Sequence, residues 1–196
     1  MVTSASIKWM ADLLAFPVDI RNVCVFLAPV FAGLTSTSTY FFTKECTNRS
    51  ETGLLAALFI SIVPSYISRS VAGSYDNEGV AIFALVTTFY LWIKSVNTGS
   101  ILWSVACSLS YFYMVAAWGG YSFIINIIPI FVFGTIFINK FTMKIYVAYS
   151  VFYVLGTVLA MLIPFVSFNA IKSSEHLASH LVFIIMNVYV VTEYVR

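Results

Sequence analysis

The sequence predicts an all-α membrane protein, a bundle of transmembrane helices with about seven spans. Of its 196 residues, 61% are hydrophobic and only 9% are charged, whereas soluble domains carry about 25% charged residues. The apolar residues form runs of about 17 to 25, which is the length that a helix needs to cross the hydrocarbon core. Such runs span as helices because lipid offers no hydrogen-bond partner to the backbone.

Short polar clusters separate these runs, and none is long enough to fold by itself. We therefore expect the spans to pack as one bundle. The predicted spans are 20-43, 52-70, 79-95, 100-118, 121-138, 145-166 and 177-195.

The distribution of Lys and Arg predicts the orientation, because short cytoplasmic loops carry the excess of positive charge. The loop from Arg69 to Glu78 then lies on the opposite, non-cytoplasmic side. Asn48 begins an N-x-S pattern in a loop assigned to the cytoplasm, so we expect it to be unmodified. The richer side has Lys44, Arg49, Lys94, Lys140, Lys144 and Arg196, against Lys8, Arg21, Arg69 and Lys172.

The charge balance argues against a nucleic-acid partner. The net charge is only +2, and no block of Lys or Arg is present. A nucleic-acid-binding chain would show a basic patch or stripe.

One segment between two spans concentrates polar chemistry. Arg69 is followed by Asp76 and Glu78 at the same membrane edge. The two carboxylates are two residues apart, so on a regular helix they would diverge by about 160°. Gly73 and Gly79 allow the non-helical backbone that would bring them together. Two hard oxygen ligands of this kind suit Mg²⁺ or Mn²⁺.

A simpler interpretation explains the same residues without a ligand. Asp76 is suited to capping the helix that begins near Gly79, and Glu78 is favoured by the helix dipole. Arg69 would then pair with either carboxylate. Spacing alone favours this capping interpretation.

Two other clusters are candidate sites. His176 and His180 share a helix face as zinc ligands do, but Glu175 precedes both and no third ligand is evident. Interfacial polar residues at a helix start explain them better. Trp118 and Tyr121 flank a Gly-Gly turn between two spans, where aromatics gather at headgroup level. Alternatively, they line a groove for a lipid substrate.

The segment 66-79, YISRSVAGSYDNEG, resembles the second acidic motif of the oligosaccharyltransferase catalytic subunit of eukaryotes. The resemblance extends in order over nearly the whole chain. It includes residues 19-29, 90-94, 111-115, 118-121, 145-149 and 173-176.

The resemblance implies a polytopic domain of the GT-C type, of which residues 1-196 form an incomplete part. We expect the family's lumenal C-terminal domain, its first acidic motif and its W-W-D-Y-G motif to lie outside this chain. The stretch should therefore be inactive in isolation.

The family's chemistry is transfer of a preassembled oligosaccharide from dolichyl pyrophosphate to the asparagine of N-x-S/T sequons. By resemblance, Asp76 and Glu78 are metal-associated, with Mn²⁺ or Mg²⁺ as cofactor, and Arg69 and Asp76 are catalytic. The implied partners are the lipid-linked oligosaccharide, an acceptor polypeptide, other oligosaccharyltransferase subunits and membrane lipid. The implied location is the endoplasmic reticulum membrane, with the Arg69–Glu78 loop lumenal.

Two alternatives remain from the sequence. An ion-coupled transporter could use Arg69, Asp76 and Glu78 in an ion path, but transporters place ionisable groups near the bilayer midplane. The central turns of the spans 79-95, 100-118 and 121-138 carry no charge. The other alternative is a different lipid-phosphosugar glycosyltransferase of similar architecture.

Overall fold

The protein, seen in a computed structural model, is described over residues 2–195 apart from the side chain of Tyr194. Within that range it contains helices and connecting turns but no strand. The α-helices are α1 (Val2–Leu13), α2 (Ile20–Thr47), α3 (Ser50–Ile62), α4 (Pro64–Ser70), α5 (Asn77–Thr98), α6 (Ile101–Ala117), α7 (Ser122–Phe137), α8 (Met143–Met161), α9 (Asn169–Lys172) and α10 (Leu177–Val195). Two single-turn 3₁₀ helices, Gly119–Tyr121 and Ser174–His176, precede α7 and α10.

Every predicted span contains a helix, and the all-α membrane fold class is confirmed. Five helical segments of the described chain are long and apolar enough to cross a membrane, and a sixth is counted if α3 and α4 form one bent span. The remaining helix, α6, is apolar but has only 17 residues. The number of crossings therefore stays a prediction.

Two predicted spans differ from the helices observed. The run 52-70 is broken between α3 and α4, which meet at an angle of 64°. Pro64 begins α4 and lacks the backbone N–H that a continuous helix would use, so the ladder of hydrogen bonds is interrupted there. The run 145-166 ends early, because α8 stops at Met161 and turns follow it.

The packing of all the spans as one bundle stays a prediction. The chain divides into two compact units, the first ending at Val86 and the second beginning at Thr87. The boundary falls inside α5. Its first half packs with earlier residues, as in the edge-to-face contact of Phe31 and Phe83. Its second half packs with later ones, as in the 2.9 Å hydrogen bond from Thr88 to Ser110.

In the first unit, α3 packs along α2 at close range. The hydroxyls of Ser36 and Ser61 are 2.9 Å apart across this pair. A Cβ atom on Gly53 would lie only 2.8 Å from the carbonyl oxygen of Tyr40. Small residues permit such backbone approach, which is how helices associate in lipid.

In the second unit, α6 packs on α8, and α7 packs on α10. Gly156 of α8 lies against the ring of Tyr111, where a Cβ atom would be 3.3 Å from Cδ1. Tyr149 ties α8 to α10 by donating its hydroxyl to the carbonyl of Ser179 at 3.0 Å. Trp92 of α5 is buried within the second unit, where three aromatic rings surround it. Those rings belong to Phe131, Tyr149 and Phe152.

One end of the second unit gathers basic residues that the sequence assigns to the cytoplasm. The ammonium group of Lys144 donates a 3.1 Å hydrogen bond to the carbonyl of Asn97 at the end of α5. Lys94 lies 4.1 Å over the ring of Trp103. Lys94 and Lys144 therefore lie at the same end of this unit, as the predicted orientation requires.

Candidate functional site

The loop between α4 and α5 is built on a glycine turn. Gly73 has φ +90°, a backbone conformation that residues other than glycine rarely adopt. Its N–H donates to the carbonyl of Val25 in α2 at 3.0 Å. The loop is thereby held beside the beginning of α2, and it enters α5 at Asn77.

Arg69, Asp76 and Glu78 meet at the start of α5. The Nη1 atom of Arg69 is 2.7 Å from Oε2 of Glu78 and 3.4 Å from Oδ2 of Asp76. Asp76 precedes the helix, whereas Glu78 lies in its first turn. The backbone at Asp76 is not helical, and both carboxylates therefore reach the same nitrogen. The sequence had indicated such non-helical backbone as the condition for the two carboxylates to act together. All three side chains remain partly exposed.

The geometry also includes a hydrogen bond of the kind that the capping interpretation predicts. Oδ1 of Asp76 accepts the N–H of Asn77 at 2.7 Å. A typical N-cap accepts from the second or third helical residue, whereas Asn77 is the first. Glu78 in the first turn is favoured by the helix dipole. The helix cap and the predicted metal site therefore involve the same two carboxylates, whose functional roles stay predictions.

The donor set fits a divalent cation in part. Asp76 and Glu78 offer hard carboxylate oxygens at a partly exposed edge, as Mg²⁺ and Mn²⁺ prefer. Among residues 2–195, no group of three or more His, Cys, Asp and Glu side chains is arranged to hold a metal. Because Mg²⁺ keeps several waters and uses few protein carboxylates, two such ligands are compatible with a shared site. The remaining ligands would come from other residues or from substrate.

Trp118 and Tyr121 occupy different environments. Trp118 directly follows α6 and is exposed, with its ring over Gly120. Tyr121 is buried, with its ring centroid 6.4 Å from that of Tyr111 and 5.7 Å from that of His176. Trp118 could therefore contact lipid, whereas Tyr121 packs in the core of the second unit. Their role in a lipid-substrate groove stays a prediction.

The two histidines at the start of α10 form separate hydrogen bonds. Nδ1 of His176 is 2.9 Å from Oγ of Ser173, and Nδ1 of His180 is 2.7 Å from the hydroxyl of Tyr153. Both Nε2 atoms are buried without a hydrogen-bond partner in the described part of the chain. The 3₁₀ helix that carries Glu175 ends at His176.

One contact near the acidic loop is not indicated by the sequence. The hydroxyls of Ser4 and Tyr75 are 2.7 Å apart, so α1 is joined to the loop that carries Asp76. Ser4 and Tyr75 are separated by 71 positions. Because neither belongs to a periodic pattern that pairs them, sequence inspection offered no signal for this contact.

Comparison with known proteins gives a match over the whole chain. The family model described as "Oligosaccharyl transferase STT3, N-terminal" matches residues 1–196. A curated relative from Caenorhabditis elegans, named dolichyl-diphosphooligosaccharide–protein glycosyltransferase subunit stt-3, is 53% identical over 196 residues. The Dictyostelium discoideum subunit STT3 is 52% identical over 196 residues. The STT3A subunit of Oryza sativa is 51% identical over 195 residues.

These relatives are much longer than the chain. All three matches cover 100% of the chain but only 26%, 27% and 25% of the respective relatives. The chain therefore spans about a quarter of the length of the curated relatives that it matches.

Proposed function

Because the chain belongs to the STT3 family of oligosaccharyl transferases, we propose that it forms part of the membrane domain of an N-glycosylating enzyme. The reaction is transfer of a preassembled oligosaccharide from dolichyl pyrophosphate to the asparagine of N-x-S/T sequons in nascent proteins. The family match over residues 1–196 is the observation that carries this proposal. The clustering of Arg69, Asp76 and Glu78 supports it.

The substrates define the surroundings of the enzyme. A dolichyl carrier is held in a bilayer, and a nascent acceptor reaches the enzyme from the lumen of the endoplasmic reticulum. The chain then acts in that membrane with the Arg69–Glu78 loop lumenal, together with other oligosaccharyltransferase subunits. The grouping of Lys94 and Lys144 at one end of the second unit supports this orientation.

The reaction needs charged groups near the reacting atoms. A carboxamide nitrogen is a poor nucleophile because its lone pair is delocalised, so carboxylates must orient the amide. The pyrophosphate leaving group develops negative charge that must be stabilised. Asp76 and Glu78 supply carboxylates at one edge, and Arg69 holds the two in a fixed relation.

Asp76 and Glu78 are the residues of this chain that would hold Mn²⁺ or Mg²⁺. When bound, such an ion stabilises negative charge on phosphate oxygens as a Lewis acid. Arg69 offsets one of the two carboxylate charges and keeps both carboxylates on the same side of the start of α5. Asp76 also accepts a hydrogen bond from the N–H of Asn77, which limits the rotation of its carboxylate.

An ion-coupled transporter is not favoured, because the family of this chain is one of glycosyltransferases. The curated relatives are about four times as long as this chain. The activity is therefore assigned to the full-length protein.

Substitutions that preserve shape can separate metal binding from capping. Asp76→Asn and Glu78→Gln are made in the full-length protein, and glycopeptide formation is measured across a Mn²⁺ titration. Asn caps helices about as well as Asp, so a pure cap would leave the rate nearly unchanged. If the carboxylates bind metal, activity falls by orders of magnitude at equal protein level.

Asp12→Asn is the matched control. Asp12 is an exposed carboxylate paired with Lys8 on α1, so it should not affect turnover. Near-wild-type rates and an unchanged Mn²⁺ dependence in both site variants would overturn the metal assignment.

A further inference from the structure

Lys94 lies about one turn before the end of α5, and its hydrogen-bond partner lies in the turn before it. Its ammonium group donates a 2.8 Å hydrogen bond to the hydroxyl of Tyr90, four residues earlier. It also lies 4.1 Å from the centroid of the Trp103 ring. A lysine near the end of a membrane span usually extends outward to reach water. The charge of Lys94 is instead held beside two aromatic side chains within a candidate span.

No carboxylate of the described second unit pairs with this charge. Within residues 87–195 the acidic side chains are Glu175 and Glu193, and neither forms an ion pair with Lys94. The ammonium group has three N–H bonds, of which the Tyr90 hydroxyl accepts one and the face of the Trp103 ring attracts another. At least one N–H therefore remains for a further acceptor.

A second cation lies at the same end of α5. The side chain of Lys144 packs against Gly99, where a Cβ atom would be only 2.9 Å from its Cγ. The ammonium group of Lys144 donates to the carbonyl of Asn97 at 3.1 Å and has further N–H bonds to offer. Two positive charges therefore border the turn between α5 and α6.

The start of α6 adds to the positive potential of this turn. Backbone N–H groups in the first turn of a helix have no partner within the helix, and the helix dipole is positive there. Ser100 is the N-cap of α6, but its side chain makes no capping hydrogen bond. The indole of Trp103, a hydrogen-bond donor, belongs to the same first turn. All of these groups favour an anion.

Exposed apolar side chains beside this turn indicate that the anion belongs to a lipid. Ile101 and Leu102 are 59% and 79% exposed. Leu109, which lies seven residues after Leu102 and thus on the same face of α6, is exposed as well. A soluble anion would leave this surface uncovered, whereas the acyl chains of a lipid would cover it. A zwitterionic headgroup brings its own positive charge, so an anionic headgroup compensates Lys94 and Lys144 better.

We infer that the turn between α5 and α6 binds the headgroup phosphate of an anionic glycerophospholipid, with Lys94, Lys144 and the start of α6 as its binding groups. The acyl chains lie along the exposed face of α6 that carries Leu102 and Leu109. The site is at the opposite end of α5 from the acidic loop, so it is distinct from the predicted metal site. The predicted orientation places it in the cytoplasmic leaflet, whose surface carries anionic lipids.

Photocrosslinking from position 102 tests this site in the full-length protein. A photoreactive phenylalanine analogue replaces Leu102, and the protein is placed in phosphatidylcholine nanodiscs that contain a small fraction of one alkyne-tagged lipid. The tagged lipid is phosphatidylserine in one sample and phosphatidylcholine in the other. We expect phosphatidylserine to be crosslinked about five-fold more, the preference that one basic side chain gives at an anionic headgroup. Combining Lys94→Gln with Lys144→Gln should remove this preference.

Two controls accompany the measurement. The same analogue at Leu58, an exposed residue of α3, should crosslink both lipids equally, and its yield in the double variant checks that this variant folds and inserts. Lys172→Gln removes a lysine of α9 and should keep the preference at position 102.

Three results would overturn the inference. The first is equal crosslinking of the two lipids at position 102, and the second is a preference that survives in the double variant. The third is loss of the preference when inorganic phosphate is added at constant ionic strength, because the turn would then bind a soluble anion.

Discussion

The Nη1 atom of Arg69 lies 2.7 Å from Oε2 of Glu78, closer than it lies to the carboxylate of Asp76. A guanidinium at that distance occupies the same electrostatic position that a divalent cation would take. A cation held by Asp76 and Glu78 would therefore be repelled by Arg69, which pairs with the same two carboxylates.

The first prediction concerns this competition. Arg69→Gln in the full-length protein should lower the Kd for Mn²⁺ by a few-fold, because removing a partly exposed charge is worth about 1 kcal/mol. Arg69→Lys keeps the charge and should stay close to wild type. The measurement is the electron paramagnetic resonance signal of free Mn²⁺ during titration. Weaker Mn²⁺ binding in Arg69→Gln would mean that Arg69 supports the cation site by orienting the carboxylates.

The second prediction is that Asn48 carries no glycan. Asn48 has φ 55°, and its N–H bonds to the carbonyl of Lys44 at 2.8 Å, which fixes it between α2 and α3. It also lies in a loop assigned to the cytoplasm by charge. An endoglycosidase-sensitive gel shift that disappears in Asn48→Gln would reverse the predicted orientation.

A positive control for that experiment lies in the loop assigned to the lumen. Ile171→Thr completes an N-x-T pattern at Asn169, and Ile171 is exposed. A flexible insertion before Asn169 gives the new site distance from the membrane. This variant should be glycosylated.

The third prediction concerns the packing of α2 and α3. Gly53→Ala would place a Cβ atom 2.8 Å from the carbonyl oxygen of Tyr40. Because that atom belongs to the backbone of α2, the helices must separate, and we expect a loss of about 1–3 kcal/mol in the free energy of unfolding.

Gly33→Ala is the matched control within α2, since a Cβ atom there would meet nothing within 4 Å. Helix propensity should then raise stability by up to about 1 kcal/mol. Thermal unfolding of both variants in detergent, followed by circular dichroism, gives the comparison. Equal stability of Gly53→Ala and wild type would show that the α2–α3 pair adapts to the added methyl group.

The helices could be predicted from the sequence because lipid requires long apolar segments, and their composition is visible along the chain. The interruption before Pro64 was harder to predict from the sequence, because apolar residues continue on both sides of it. A hydropathy pattern does not show that proline lacks a backbone N–H. The pairing of Arg69 with a carboxylate was predictable from charge. Its contact with both required the turn at Gly73, whose direction a sequence does not specify.

Contacts between distant residues were beyond sequence reasoning. Tyr121 was expected at the interface as one of a pair of aromatics, yet it is buried beside His176. That environment depends on how α7 and α10 pack, and packing between helices leaves little trace in a single sequence.

The 64° bend between α3 and α4 determines where Arg69 lies relative to the acidic loop. Arg69 is the sixth residue of α4, so it lies about 9 Å along that helix. If α3 continued straight, Arg69 would be displaced by a comparable distance, far beyond the reach of Glu78. The charge balance at the start of α5 is therefore encoded in part at Pro64, a residue with no charge and no hydrogen to donate.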